Sequence, residues 1–250
     1  MYEKYEDDDG SIRIIEEMMN EIRRIAFEKD ASVSDIVHEA ISEFLYSRQT
    51  GVNFFDVINS IEKSINQSDY PEYSQYSHRF VVNADLNNFA VSVKSPLLYI
   101  YRPELKYEVR ISRSDETSIG KINVILRSRD IDTLRSFSDF LGFWIELETK
   151  YIFLKSGQRI TYITDVGFFS RKIYMPSTNA ENIKNTENIS NISDAGNIGS
   201  RAIGTAVSDY IHVFDELFKY YFYNSGNTNG RRREIENMYF SYATDGRLKI

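Results

Sequence analysis

Near the N-terminus, apolar residues recur at helical spacing in two adjoining stretches. Met18, Ile22, Ile25 and Ala26 fall on one face of a first helix, and Ile36, Val37, Ala40, Ile41, Phe44 and Leu45 form a wider stripe on a second. Between them, Ser32-Val33-Ser34-Asp35 offers N-cap hydroxyls with a carboxylate in the following turn. Ahead of the first helix, Ile12-Arg13-Ile14 alternates as a short strand does. Asn53 to Asn66 predicts a third helix, with Phe54, Val57, Ile58, Ile61 and Ile65 on one face. The polar, Tyr-rich run from Gln67 to Ser77 lacks any such period and reads as a linker.

From Arg79 the period shortens to that of strands. Arg79–Ala84, Phe89–Val93 and Leu97–Tyr101 are short β-rich runs, and Tyr107, Val109 and Ile111 alternate with Glu108 and Arg110. Lys121–Leu126 alternates likewise. Asp130 then reads as the N-cap of a helix carrying Ile131, Leu134, Phe137, Phe140, Leu141, Trp144 and Ile145. Tyr151–Lys155 and Arg159–Thr164 flank Ser-Gly-Gln as a hairpin would, and Phe168–Tyr174 predicts a further strand. Pro176–Ser200 repeats Asn-Ile in a polar setting and reads as a flexible loop. A long helix is predicted over Ala202–Asn224, and a last strand near Met238–Tyr242. The organisation expected is therefore an acidic tail at 1–10, a strand and two helices at 11–50, a helix and linker at 51–78, and a mixed α/β domain at 79–250 with a largely antiparallel sheet and a long C-terminal helix. The fold class expected is α+β.

Composition narrows the chemistry. No cysteine occurs, which excludes disulfides, thiolate metal sites, Fe–S clusters and cysteine nucleophiles. No run approaches the roughly 18 apolar residues of a membrane span, and the acidic start is opposite in sign to a signal peptide. The expectation is a cytoplasmic protein with no membrane partner. The net charge of −7 is concentrated in the first fifty residues, which hold six basic side chains against thirteen acidic ones, and the rest of the chain balances.

Two helices of about four turns and a short strand are too little to bury their own stripes, and pairing with a second copy is the simple solution. The stretches Ile12-Arg13-Ile14, Ile15-Glu16-Glu17, Ser32-Val33-Ser34-Asp35-Ile36 and Glu39-Ala40-Ile41-Ser42-Glu43-Phe44-Leu45 together resemble the ribbon-helix-helix family, the class of the Arc, MetJ and CopG repressors. Its usual pattern is a strand, Leu-Pro-Glu-Glu, a helix, a Gly-x-Ser/Thr turn and a second helix. The resemblance covers about 35 residues and implies a homodimer or higher oligomer whose paired strands enter the major groove of double-stranded DNA. It implies base contacts from Ser11 and Arg13, Arg13 being suited to bidentate guanine contact. Phosphate contact would come from the backbone at Ser32, Val33 and Ser34, at the start of the second helix. The implied dimer core is Ile12, Ile14, Ile22, Ile36, Ala40, Ile41 and Phe44. Ile15 stands where Pro is common, and Asp7-Asp8-Asp9 would lie against phosphates and repel them.

Other motifs point less sharply. His38, His78 and His212 are scattered, so neither a metal site nor a cofactor is expected. No Gly-rich phosphate loop or nucleophile elbow is present, and no catalytic residue is assigned. The carboxylates Asp130, Asp132, Glu146 and Glu148 read as cap and solvent-face residues. Arg110, Arg113, Lys121, Arg127, Arg129 and Arg135 form either an anion-binding patch or a mixed solvated face, given Glu108, Asp115, Asp130 and Asp132 beside them. Arg231-Arg232-Arg233 near Tyr239 and Tyr242 suggests nucleic acid through interleaved basic and aromatic groups. The expected function is a sequence-specific DNA-binding transcriptional regulator, not an enzyme, whose second domain senses a small-molecule or protein effector or extends oligomerisation. The alternatives are a dimeric protein-interaction protein that does not bind DNA, and an enzyme in the C-terminal domain.

Overall fold

The computed structural model describes residues 14–50, 53–67, 80–86, 88–100, 102–112, 118–153, 160–174, 192–224 and 228–248. It divides into two units, Met1–Thr50 and Gly51–Ile250.

The first unit is a pair of helices, α1 (Glu16–Glu28) and α2 (Val33–Thr50). Glu16 and Glu17 sit in the first turn of α1, where carboxylates suit the helix dipole. The helix stops at Asp30, whose φ of 51° is left-handed. There the Ala31 N–H donates to the Ala26 carbonyl at 2.9 Å, closing the turn. A short polar side chain tolerates that conformation better than a branched one. No strand precedes α1 among the described residues, so the expected β-α-α arrangement is not seen. Residues 11–13 of the expected strand lie outside the described residues, and Ile14 is not in a strand. The physical reason is direct: the hydrogen bonds of a two-chain ribbon come from a partner's backbone, which one chain cannot supply.

The second unit is mixed α+β. It begins with α3 (Phe54–Gln67), followed by β1 (Val81–Asp85), β2 (Ala90–Pro96), β3 (Glu104–Ile111), β4 (Ser118–Arg127), α4 (Ile131–Glu148), β5 (Tyr162–Asp165), β6 (Phe168–Tyr174), α5 (Ile192–Tyr223) and α6 (Thr228–Thr244). One π-type turn, Thr149–Phe153, extends α4. The six strands form one antiparallel sheet in the order β1-β2-β3-β4-β6-β5.

Alternation decides which face is buried. Val91, Val93, Leu105, Tyr107, Val109, Ile122, Val124, Phe169 and Ile173 point inward and are buried. Against them α5 lays Phe214, whose ring meets Tyr107, Phe137, Phe140, Trp144 and Phe169. The α5 and α3 backbones approach closely at Gly204, where a Cβ would come within 2.2 Å of Ser60 Oγ. Any side chain there would push the two helices apart.

Four expectations are corrected. Of the strand expected over Leu97–Tyr101, Leu97–Ile100 is a loop and Tyr101 lies outside the described residues; Pro96 and Pro103 bracket the stretch, and the Leu97 N–H donates to the Pro103 carbonyl at 2.9 Å. Tyr151–Phe153 continues α4 as the π-type turn, and 154–159 lies outside the described residues, so β5 pairs with β6 instead. α5 already runs at Ile192, inside the stretch read as a loop. Met238–Tyr242 is helical: Arg231, Ile235 and Tyr239, four apart, form the buried side of α6.

Candidate nucleic-acid interface

The start of α2 is built by a reciprocal cap. Ser32 Oγ accepts from the Asp35 N–H at 3.1 Å, while Asp35 Oδ2 accepts from the Ser32 N–H at 3.2 Å and the Ser32 hydroxyl at 2.7 Å. These Ser32 hydrogen bonds hold the Asp35 carboxyl below the usual aspartate range. Of the three phosphate-contact residues, Ser32 therefore has its N–H taken by a carboxylate. Val33 and Ser34 remain as first-turn donors at the positive end of the helix.

The dimer-core residues are distributed in a particular way. Ile36 is buried, Ile14 and Ile22 are half-buried, and Ala40 is exposed. Ile12 lies outside the described residues, as do Ser11 and Arg13, so the base-reading pair is not placed. Ala26 and Ile36 are the apolar residues this unit buries among those described. By contrast, Ile15 is 66% exposed, Met18 54%, Ile41 39% and Phe44 58%. Large apolar side chains thus stand open along both helices.

Most described cations of this unit are already engaged. Arg24 pairs with Glu21 and, at 2.6 Å, with Glu28; Lys29 pairs with Glu39 at 3.3 Å; Arg23 donates to Asn20. His38 is exposed on α2.

In the second unit, several residues read as surface groups are interior. Glu148 and Arg171 are fully buried, with Oε1 and Nε 2.9 Å apart. Glu148 is therefore no solvent-face residue. Its carboxyl is held above the usual range by burial, with Arg171 opposing. A second buried network joins Tyr107, whose hydroxyl donates to Asp215 at 2.9 Å, to Lys219, which contacts Asp215 and Ser95 at 2.7 Å each. Neither network was visible in sequence: alternation with Phe169 and Ile173 turns Arg171 inward, but its pairing with Glu148 depends on how β6 packs against α4. His212 is half-buried, edge-on against Phe80, and desolvation pushes its imidazole down to about 3. His78 lies outside the described residues.

Arg231 is buried: it lies over the Tyr221 ring at 3.6 Å and donates to the Tyr221 carbonyl. Arg232 lies over Phe143 at 5.1 Å, and Tyr239 is in the core. No group of three or more metal-ligating side chains occurs among the described residues, and none of the described helices is long and apolar enough to cross a membrane. Comparison with protein-family models, curated proteins and solved structures gave no match.

Proposed function

We propose that the chain is a cytoplasmic DNA-binding transcription regulator that works as a ribbon-helix-helix homodimer, with the second unit sensing an effector or extending oligomerisation. The observation that carries this reading is the pair of short helices whose stripe residues Met18, Ile41 and Phe44 stand open in a single chain, with Ile15 open just ahead of the first helix. Two features of the turn support it. Asp30 takes the left-handed conformation two residues before Ser32, in the place of the family's Gly in Gly-x-Ser/Thr. The capped N-terminus of α2 offers Val33 and Ser34 to a phosphate.

In mechanism this is binding, not catalysis. Residues 11–14 of two chains pair antiparallel, Ile12 and Ile14 face the helices, and Ser11 and Arg13 face base edges. A mobility shift with genomic fragments at low salt tests it. Arg13→Ala should lose about 1–3 kcal/mol of discrimination between fragments. A protein that dimerises yet shifts no fragment would instead be the interaction protein.

The acidic tail supplies a second check. Like charge beside phosphates weakens binding, so deleting residues 1–8 should tighten DNA binding and leave sedimentation as a dimer unchanged. Equal affinity with and without the segment would remove Asp7 and Asp8 from the interface.

A further inference from the structure

We infer that the second unit carries a seam for a second copy of itself, a two-fold contact at one end of the sheet in which Leu98, Ile100 and Arg102 of one copy meet Ile131, Val166 and Asp165 of the other. This gives a surface to the oligomerisation proposed for the second unit, and it stands whether or not the first unit binds DNA.

Exposure marks the place. Leu98, Ile100, Ile131 and Val166 are the four most exposed large apolar residues described in the second unit. Leu98 and Ile100 lie in the connection from β2 to β3, Ile131 opens α4 just beyond β4, and Val166 is in the turn from β5 to β6. Register puts all of these at one end of the sheet: Pro96, Glu104 and Arg127 stand in one row, and Ile125, Phe168 and Asp165 in a row two residues back. Single exposed apolar residues are ordinary, but four gathered in neighbouring connections make a patch.

These side chains are held in place before any partner arrives. The Leu98 N–H donates to the Tyr223 hydroxyl at 2.6 Å, and the Tyr99 ring stands edge-on to Phe222 at 5.1 Å, so α5 braces the loop. Arg102 closes the loop in the left-handed region, at φ 44°, with its N–H donating to the Tyr99 carbonyl at 3.0 Å. On the other half, the Leu126 N–H donates to the Gly167 carbonyl at 2.8 Å. A Cβ on Gly167 would fall 3.1 Å from the Leu134 side chain, so the turn sits close against the start of α4. A surface ordered beforehand gives up little entropy on association.

Symmetry and charge choose the occupant. In the order β2-β3-β4-β6-β5, β4 stands midway between the β2–β3 connection and the β5–β6 turn. Each lies one and a half strand spacings from it, about 7 Å. A two-fold axis through the end of β4 therefore lays the loop of one copy on the turn and helix start of the other. Arg102 is exposed on the first half and Asp165 on the second, where it accepts from the Val166 N–H at 2.7 Å. The same axis brings the two charges together twice, as a self-complementary contact requires. A polyanion fits worse: Arg102, Arg129 and Arg135 are matched here by Asp130, Asp132 and Asp165, so neither a duplex nor anionic headgroups would meet a surplus of positive charge. The patch is small, so the association is weak, with a dissociation constant on the order of 100 µM, and it is not populated at micromolar concentration.

The test is sedimentation equilibrium of the full-length protein from about 5 to about 500 µM, a range that brackets that constant. The weight-average mass should rise toward double its starting value, whatever the state at the low end. Leu98→Asp/Ile100→Asp should abolish the rise, with near-ultraviolet dichroism from Trp144 retained because both positions are exposed. Arg102→Asp and Asp165→Arg, made singly, should each raise the dissociation constant at least about fivefold, since each reversal acts twice across the axis. Asp tolerates the left-handed backbone at position 102. The double variant Arg102→Asp/Asp165→Arg should return to within about twofold of the parent, because the reversed pair attracts again. A mass that stays flat to the highest concentration, a rise that survives Leu98→Asp/Ile100→Asp, or a double variant as weak as the two reversals combined would each overturn the inference. So would binding to phosphatidylserine vesicles that Leu98→Asp/Ile100→Asp removes, which would assign the apolar tips to a lipid surface.

Discussion

Arg171→Met should cost the second unit about 3–5 kcal/mol of unfolding free energy at neutral pH, because it strands a buried carboxylate. Glu148 closes α4 and Arg171 lies at the inward face of β6, and neither side chain reaches solvent. Their atoms approach to 2.9 Å without meeting hydrogen-bond geometry, so attraction between charges holds the pair. The Arg171 guanidinium also lies over the Tyr210 ring at 4.9 Å, and Trp144 Nε1 donates to the Tyr210 hydroxyl at 3.0 Å. Removing the cation leaves Glu148 among tyrosines and a tryptophan, where burial favours the protonated acid. The sign follows from linkage. Glu148 is raised in the folded protein relative to the ordinary 4.5, so its stability deficit is absent below that value and grows as pH rises toward the folded pKa. Denaturant unfolding at pH 5 and pH 7 should therefore show the larger loss at pH 7. Glu148→Leu/Arg171→Met should recover most of it, since apolar pairs often replace buried ion pairs at little cost. A single-variant loss under about 1 kcal/mol would mean that water reaches the pair.

What could be read in sequence, and what could not, divides along local and non-local lines. Asp130 accepts from the Thr133 N–H at 2.8 Å as an N-cap should, and its helix buries Phe137, Phe140, Leu141 and Trp144. The alternation of Tyr107, Val109 and Ile111 is the burial pattern of β3. These are properties of a few adjacent residues. Leu97–Tyr101 failed because apolar content alone does not make a strand: Pro at both ends removes ladder donors, and Leu98 and Ile100 remain exposed. Met238–Tyr242 failed because aromatics suggested β-structure, while the four-residue spacing of Arg231, Ile235 and Tyr239 was the stronger signal. The basic residues of the sheet posed a different problem. Arg110 and Lys121 were both noticed as charges, yet a row including Lys172 exists only through register across β3, β4 and β6, separated by long loops and α4. The same holds for Arg171, whose partner Glu148 lies on another element. For the first unit, the helices and the capped turn were legible, whereas residues 11–13 lie outside those described and a ribbon's partner lies outside any single chain.

Phe44→Asp should convert the protein from dimer to monomer at micromolar concentration and abolish DNA shifts. The expectation follows from how little the first unit buries by itself: Ala26 and Ile36 alone among its described apolar residues. Fully burying a side chain such as Phe, Ile or Met contributes about 1.5–3 kcal/mol, and each dimer would bury two copies of Phe44 and of Ile41, Met18 and Ile15. Replacing both phenylalanines removes that contribution twice and places two carboxylates, facing one another, in a desolvated seam. At about 1.4 kcal/mol per decade, loss of the burial term alone raises the dissociation constant at least about a hundredfold. Sedimentation equilibrium reads the change directly. Because the chain divides at Thr50, the aromatic core around Phe214 should melt as before, so near-ultraviolet dichroism from Trp144 should be retained. Phe27→Asp is the matched control. Phe27 is 89% exposed on α1 and lies off the stripe of Met18, Ile22, Ile25 and Ala26, so its replacement should leave both dimer and DNA binding intact. If Phe44→Asp still sediments as a dimer, another surface holds the copies together and the two open helices are not the seam. If Phe27→Asp dissociates it as well, the interface runs along the opposite side of α1, and Ile12 and Ile14 can no longer pair beneath it as a two-chain ribbon requires.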